Sequence, residues 1–456
     1  MNILKCKGGD LLRIPNLLIS TIILFISNFI VRILGFFYKI FLSNILGDTG
    51  LGIYHMIFNF LMICLALTTT GMPTALSCLV AKRNALKDNH KANTLFISTL
   101  YVTFIVSFII SLFISLESKF ISFKLLKNEN LNLFVLSICP AVVIITISNI
   151  IRGYYYGIKK VTIPAIGQIL EQVSKILFVF LFCMYIKNKA LSCHIALLGI
   201  SIGEATNIIF MTFYLYKNNY LSKKYTVNIK DFINSSVETL KFSLPITCNR
   251  MSNVLLQSIS SMMVPSRLVL AGIPYAKSLS MYGIISGMVI PFVYLPFTVG
   301  SALVVNLIPS ISQEMVLNQY KNVLKKIKYS LLLTITVGIL SAMLFYFFGK
   351  EICIIVFKNE IAGDYLEAMC LAPLFLSLNQ TLSGILHSIR KEFESSVNTI
   401  FGMVLQLIAL YIFLPIPQLN IYAYIYIITL IAILTSILHS LVLIKALKNL
   451  RARRIK

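Results

Sequence analysis

The sequence predicts an all-α integral membrane protein of about twelve transmembrane helices arranged as two six-helix halves. Three observations carry this. The 456-residue chain is 58% hydrophobic and only 12% charged, with a mean hydropathy of +0.86, whereas soluble domains carry about 25% charged residues. Apolar runs of the length needed to cross a bilayer recur from end to end. Finally, Lys and Arg alternate between crowded and sparse loops, the positive-inside pattern.

The first run follows Lys5, Lys7 and Arg13. It is too long for the apolar core of a signal peptide and no small-residue cleavage site follows, so it is expected to remain as the first span, 17–41. The Gly50-Leu51-Gly52 turn leads into a second span at 51–80, with Gly71 and Pro73 as helix breakers near its end. Spans at 94–116, 133–151, 164–186 and 194–216 complete the first half. The second half reads 239–264, 280–308, 327–348, 364–388, 395–416 and 420–445. Pro140, Pro164, Pro245, Pro291, Pro296 and Pro309 mark bending points that transporter helices tolerate where neighbours re-satisfy the backbone.

Loops on one side of this pattern hold 26 Lys and Arg and those on the other hold 9. Both termini are therefore expected in the cytoplasm, and the number of spans is even. The tail residues Lys445, Lys448, Arg451, Arg453, Arg454 and Lys456 would rest on anionic membrane lipids. The net charge of +24 is thus a membrane signature. A nucleic-acid role is set aside, because no aromatic residues interleave the basic tail.

Residues 217–238 form the longest polar stretch and divide the chain into an N-terminal half, 1–216, and a C-terminal half, 239–456. Ile229, Phe232, Ile233, Val237 and Leu240 recur at helical spacing, which suits an amphipathic helix on the inner membrane face; a solvated linker is the alternative. The halves echo each other. Lys159-Lys160 precede the fifth span as Arg390-Lys391 precede the eleventh, and Tyr54 opens the second span as Tyr282 opens the eighth. Repeats in the same orientation place a substrate site at their interface.

No catalytic constellation, cofactor motif or P-loop occurs, and the nine cysteines show neither CxxC pairing nor metal-ligand spacing. The chemistry lies in charges inside the spans. A charge at mid-bilayer costs roughly 2.5–3.5 kcal/mol on insertion scales, and such residues usually face a bundle interior or a wet cavity. Arg32 lies in the first span, with Asn28 one turn before it and Lys39 seven residues on. Lys39 is either a cavity residue or a side chain snorkelling to the interface. In the seventh span, Arg250, Asn253, Gln257 and Ser261 share one helical face. This stripe suits a cavity wall better than polar glue between helices. Glu171 and Lys175 are four apart and are expected to neutralise each other, the alternative being that Glu171 couples transport. Glu204 has no local partner and is expected either to titrate and couple transport or to pair with a cavity arginine.

Several stretches together resemble the stage V sporulation protein B family. They are Gly47-Asp48-Thr49-Gly50-Leu51-Gly52-Ile53-Tyr54, Gly71-Met72-Pro73-Thr74-Ala75-Leu76-Ser77, Arg152-Gly153-Tyr154-Tyr155-Tyr156-Gly157, Gln168-Ile169-Leu170-Glu171-Gln172, Val264-Pro265-Ser266-Arg267-Leu268 and Leu307-Ile308-Pro309-Ser310-Ile311-Ser312. That family sits within the multidrug/oligosaccharidyl-lipid/polysaccharide (MOP) exporters, alongside the lipid II flippases. The resemblance implies a MATE-like pair of lobes opening alternately. It also implies an undecaprenyl-pyrophosphate-linked glycan as cargo, a setting in spore cortex or cell-wall synthesis, and cell-wall enzymes as possible partners. In lipid II flippases, cationic residues in the first span of each lobe line the cavity, and Arg32 and Arg250 occupy those places. An Arg fork binds phosphate oxygens bidentately. Two other readings remain: a multidrug cation exporter of the same fold, which would want an acid where Arg32 stands, and a non-transporting scaffold for cell-wall enzymes.

Overall fold

The computed structural model describes residues 16–69, 71–124, 128–186, 188–218, 228–296, 311, 314–315, 319–389 and 391–455, and almost all of these are helical. The basic residues Lys5, Lys7 and Arg13, residues 219–227, the second half of the expected 280–308 span and Arg390 lie outside the described residues.

Helix α1, Asn16–Thr68, is interrupted at Gly47, where φ is 65° and ψ is 180°. Only glycine visits that region without strain. An unbroken helix from residue 16 to 85 would be about 100 Å long, some three times the hydrocarbon thickness, so the chain must turn. It does so at Gly47 and again between Thr68 and Met72, where α2 (Met72–Ala85) starts with Pro73 in its first turn. The two limbs of α1, with α2 prolonging the second, occupy the first two expected spans.

Next come α3 (Asn89–Leu116), capped by the Asp88 side chain, α4 (Ser118–Lys124), α5 (Asn132–Gly157), α6 (Thr162–Tyr185) and α7 (Lys189–Lys217), capped by Asn188. Helix α8, Ile229–Leu270, runs unbroken for 42 residues from its Asn228 cap. This corrects the expectation of a separate amphipathic helix in the 217–238 linker. Residues 229–238 are the first turns of α8, because no glycine or proline interrupts the chain before Pro245. Helix α9 spans Tyr275–Pro296 and contains a π-helical turn at Ile285–Val289. Pro291 follows at once; it offers no N–H to the carbonyl four residues back, so the backbone there takes a wider turn. Then follow α10 (Tyr320–Phe357), α11 (Glu360–Ala368) and α12 (Ala372–Ser388). The last two are bent by 51° relative to each other and pass the length and hydropathy requirement for a span only when taken together. Helices α13 (Glu392–Phe413) and α14 (Tyr422–Ile455) end the chain.

Nine helices among the described residues are long and apolar enough to cross a membrane, or ten with the bent pair. That tally takes α1 with α2 as one and leaves out the polar-striped α8, so the architecture is compatible with twelve spans. Helix α9 is the most enclosed and α13 the least. Exposed large apolar side chains crowd the outer faces of α3, α6, α10 and α13, as a bilayer-facing surface requires.

Contacts between the two halves of the sequence occur at both ends of the bundle. Near the Gly47 turn, Gly52 of α1 crosses Gly283 of α9 so closely that a Cβ on Gly283 would strike the carbonyl of Asp48 and the backbone of Gly52. At the other end, the Arg83 fork bonds both carboxylate oxygens of Glu238 at 3.0 Å, and Thr99 bonds Thr239 at 3.2 Å. Hydroxyl pairs such as Thr334–Thr381 (2.9 Å) and the amide–hydroxyl bond of Asn379 to Thr435 (2.9 Å) tie helices where hydrophobicity gives no preference between protein and lipid.

Candidate functional site

A central cavity of about 510 Å³ opens between α1, α6, α8, α9, α12, α13 and α14. Its cations are Lys39 of α1 and Lys175 of α6, and no carboxylate is among its lining residues. The Lys175 ammonium lies 5.2 Å from the centre of the Tyr38 ring, a cation–π position. Tyrosines 38, 54, 282, 294 and 424 and the amides of Asn59, Gln172, Gln257, Asn379 and Gln406 make up much of the remaining wall. Asn59 donates to the Tyr282 hydroxyl at 2.8 Å. Buried His55 Nε2 has no partner among the described residues. Aromatic faces beside amide and hydroxyl groups are surfaces that a polar, hydroxyl-rich ligand can use, and two ammonium groups favour an anion.

A second cavity, of about 480 Å³, lies towards the Arg83–Glu238 end. Thr69, Thr74, Ser77, Asn149, Arg152, Tyr156, Gln168 and Arg250 are among its lining residues. Arg250 donates to Thr74 Oγ1 at 3.1 Å. Behind its wall, Arg152 faces two carboxylates, Glu171 at 3.5 Å and Glu204 at 3.7 Å. Asn207 sits among them, with its amide nitrogen 3.2 Å from Ser148 Oγ and 3.4 Å from an oxygen of each glutamate.

The structure separates residues that the sequence groups together. Lys39 and Gln257 line the central cavity and Arg250 the smaller one. Asn253 lies half-buried on α8 between these two, its Oδ1 without a partner among the described residues. Arg32 and Asn28 are exposed on α1 and line neither cavity. The expected Glu171–Lys175 neutralisation is shared with a second cation. Glu171 faces Arg152 on the neighbouring helix, while Lys175, one turn on, points to Tyr38 and the central cavity. Glu204 likewise has a partner, the same Arg152. Arg152 stands one residue past the expected end of the 133–151 span, where a basic residue reads as a loop charge. In fact α5 continues to Gly157, and the Arg152 side chain is 17% exposed.

Comparison with known proteins fits this architecture. The profile of the polysaccharide biosynthesis protein family matches residues 17–315. The chain belongs to that family. The MatE profile matches residues 250–412. Over 436 residues the chain is 25% identical to stage V sporulation protein B of Bacillus subtilis (strain 168), covering 94% of this chain and 83% of that protein. Over 419 residues it is 23% identical to the lipid II flippase MurJ of the same organism, covering 86% and 76%. An inward-facing multidrug resistance MATE family transporter of the MOP superfamily superposes with a TM-score of 0.69 at 16% identity, covering 92% of this chain and 96% of that one. A MOP superfamily transporter from Pyrococcus furiosus, described as having a binding pocket of reverse polarity, gives 0.63 at 15% identity, with 96% of each chain covered. This family member therefore has the MATE-like fold and carries several helices long and apolar enough to cross a membrane.

Proposed function

We propose that the protein flips an anionic undecaprenyl-pyrophosphate-linked glycan, a lipid II-like or polysaccharide precursor, across the cytoplasmic membrane by alternating access during cell-wall or spore cortex synthesis. The observation that carries this reading is the central cavity's composition: two ammonium groups, no carboxylate, and a wall of tyrosines and amides. A pyrophosphate is attracted to Lys39 and Lys175 with little shielding in a low-dielectric site, while tyrosine and amide groups serve the sugar. Arg32, exposed two turns before Lys39 on α1, and Arg250 at the smaller cavity supply further phosphate contacts in this scheme. Residues 1–216 and 239–456 act as the two lobes, both termini are cytoplasmic, and the basic loops and tail rest on anionic lipid.

The likeness to stage V sporulation protein B and to MurJ supports a lipid-linked cargo. A cation exporter of the same fold would want an acid in the central cavity, and none lines it. The test is flipping of a labelled lipid-linked sugar by the purified chain in proteoliposomes, with ethidium efflux measured in parallel. Movement of the sugar lipid that is lost in the Lys39→Ala/Lys175→Ala double variant is the expected outcome. Ethidium efflux without sugar-lipid movement overturns the reading in favour of a drug exporter.

A further inference from the structure

The smaller cavity carries an arrangement that the central cavity lacks. Two arginines from opposite halves of the sequence border it, Arg152 on α5 and Arg250 on α8. Arg152 is held loosely. Its contacts to Glu171 and Glu204 are 3.5 and 3.7 Å, longer than a charge-assisted hydrogen bond of about 2.7–2.9 Å. Its buried Nε and Nη2 make no hydrogen bond among the described residues. The Arg152 fork thus keeps unspent N–H groups at the wall of a cavity large enough for a diphosphate, and the Arg250 fork borders the same cavity.

We propose that this cavity is a diphosphate-binding subsite in which Arg152 changes partners. Empty, the site leaves Arg152 on the Glu171 and Glu204 carboxylates. Filled, the diphosphate bridges Arg152 and Arg250, and the abandoned pair of carboxylates takes up one proton from water. The charge balance requires this uptake. Arg152, Glu171, Glu204 and Lys175, the groups that act on one another here, sum to zero. Withdrawing Arg152 leaves Lys175 alone against two buried carboxylates, and the surplus negative charge is removed by protonating one of them. Of the other groups nearby, Lys39 of α1 acts on Lys175, Tyr156 of α5 lies beside Arg152, and Asn207 of α7 bonds both carboxylates. None of these supplies a second cation to the glutamates. Anion loading and proton uptake are thereby one event. The proposal rests on the function proposed above only for the source of the diphosphate.

Calorimetric titration of the purified full chain in detergent micelles tests this, with inorganic pyrophosphate as the first probe and a short polyprenyl diphosphate as the second. Repeating each titration in buffers of different ionisation enthalpy reports proton uptake in the unmodified protein. We expect about one proton taken up per pyrophosphate bound, from the charge count. Arg250→Gln should bind about tenfold or more weakly. Glu171→Gln/Glu204→Gln should bind without proton uptake. Arg152→Gln leaves two carboxylates uncompensated, so the triple variant Arg152→Gln/Glu171→Gln/Glu204→Gln accompanies it, and weakened binding in this triple variant is the diagnostic result. A polyprenyl diphosphate binding more tightly than pyrophosphate marks a lipid headgroup as the natural ligand, and equal binding marks a free anion; both support the subsite. Binding without proton uptake in the unmodified chain overturns the exchange. Binding that survives Arg250→Gln but is lost in Lys39→Gln/Lys175→Gln puts the anion in the central cavity and overturns the subsite, while leaving the flippase reading standing. Arginine-dependent binding in a protein that moves no lipid-linked sugar does the reverse.

Discussion

Lys175 and Arg152 show how far single residues are readable from sequence. Lys39, Gln257 and Ser261 stand out because a polar residue inside an apolar run has few reasons to be there, and all three border the central cavity. Lys175 was masked by Glu171 four residues earlier, since i,i+4 spacing is a statement about neighbours on one helix and says nothing of what a second helix offers. Here α5 brings Arg152 to Glu171, and the ammonium turns to the Tyr38 ring at the central cavity. Lys175→Gln should therefore cut sugar-lipid flipping by about tenfold or more, by loss of roughly 1.5–3 kcal/mol of charged hydrogen bonding, at unchanged membrane abundance. Flipping rates in proteoliposomes, set against immunoblots of membranes, check this; a variant that is merely degraded would give Lys175 a structural role. Glycine 283 invites a second substitution. A Cβ there meets backbone, which cannot step aside, so Gly283→Ala should cost about 1–3 kcal/mol as overpacking and lower the melting temperature in detergent. Gly35→Ala, whose Cβ would meet only Gln172 Nε2 at 3.5 Å, should melt like the parent.

Among the helices, every expected span coincides at least in part with a described helix, because long apolar runs are the strongest signal a sequence carries. What escaped reading were the joints. Gly71 and Pro73 are visible as breakers, and α1 does stop at Thr68. The break at Gly47 rests on one φ angle, and the π turn at Ile285–Val289 on a hydrogen-bond shift; neither leaves a periodicity to detect. The linker was misjudged for a related reason: polarity ended the expected span at 239, but a helix ends where its backbone bonds end, and α8 begins ten residues earlier. This extension gives α8 its contacts to α2 and α3 through Glu238 and Thr239. If these helices part during alternating access, Thr99→Cys/Thr239→Cys should form a disulfide under oxidation that stops flipping and releases it on reduction. Undiminished flipping by fully crosslinked protein would show that α3 and α8 move as one body.

At the scale of the whole molecule, the asymmetry of 26 against 9 basic residues predicts which way the bundle sits. Cysteines substituted for Lys119 and Lys358 should react with an impermeant maleimide in intact cells, and one substituted for Lys230 only after the membrane is opened. The reverse labelling pattern would invert the protein. Fold class was legible because the bilayer imposes it. The pairing of helices across the two halves was not, since Gly52 against Gly283 and Arg250 against Thr74 are meetings of residues far apart in the chain. One helix joins these meetings. The face of α8 that offers Arg250 to the smaller cavity offers Gln257 and Ser261 to the central one, about 10 and 16 Å further along its axis. No glycine or proline softens the segment between them. It can act as a camshaft: a turn of α8 about its own axis would displace wall residues of both chambers at once.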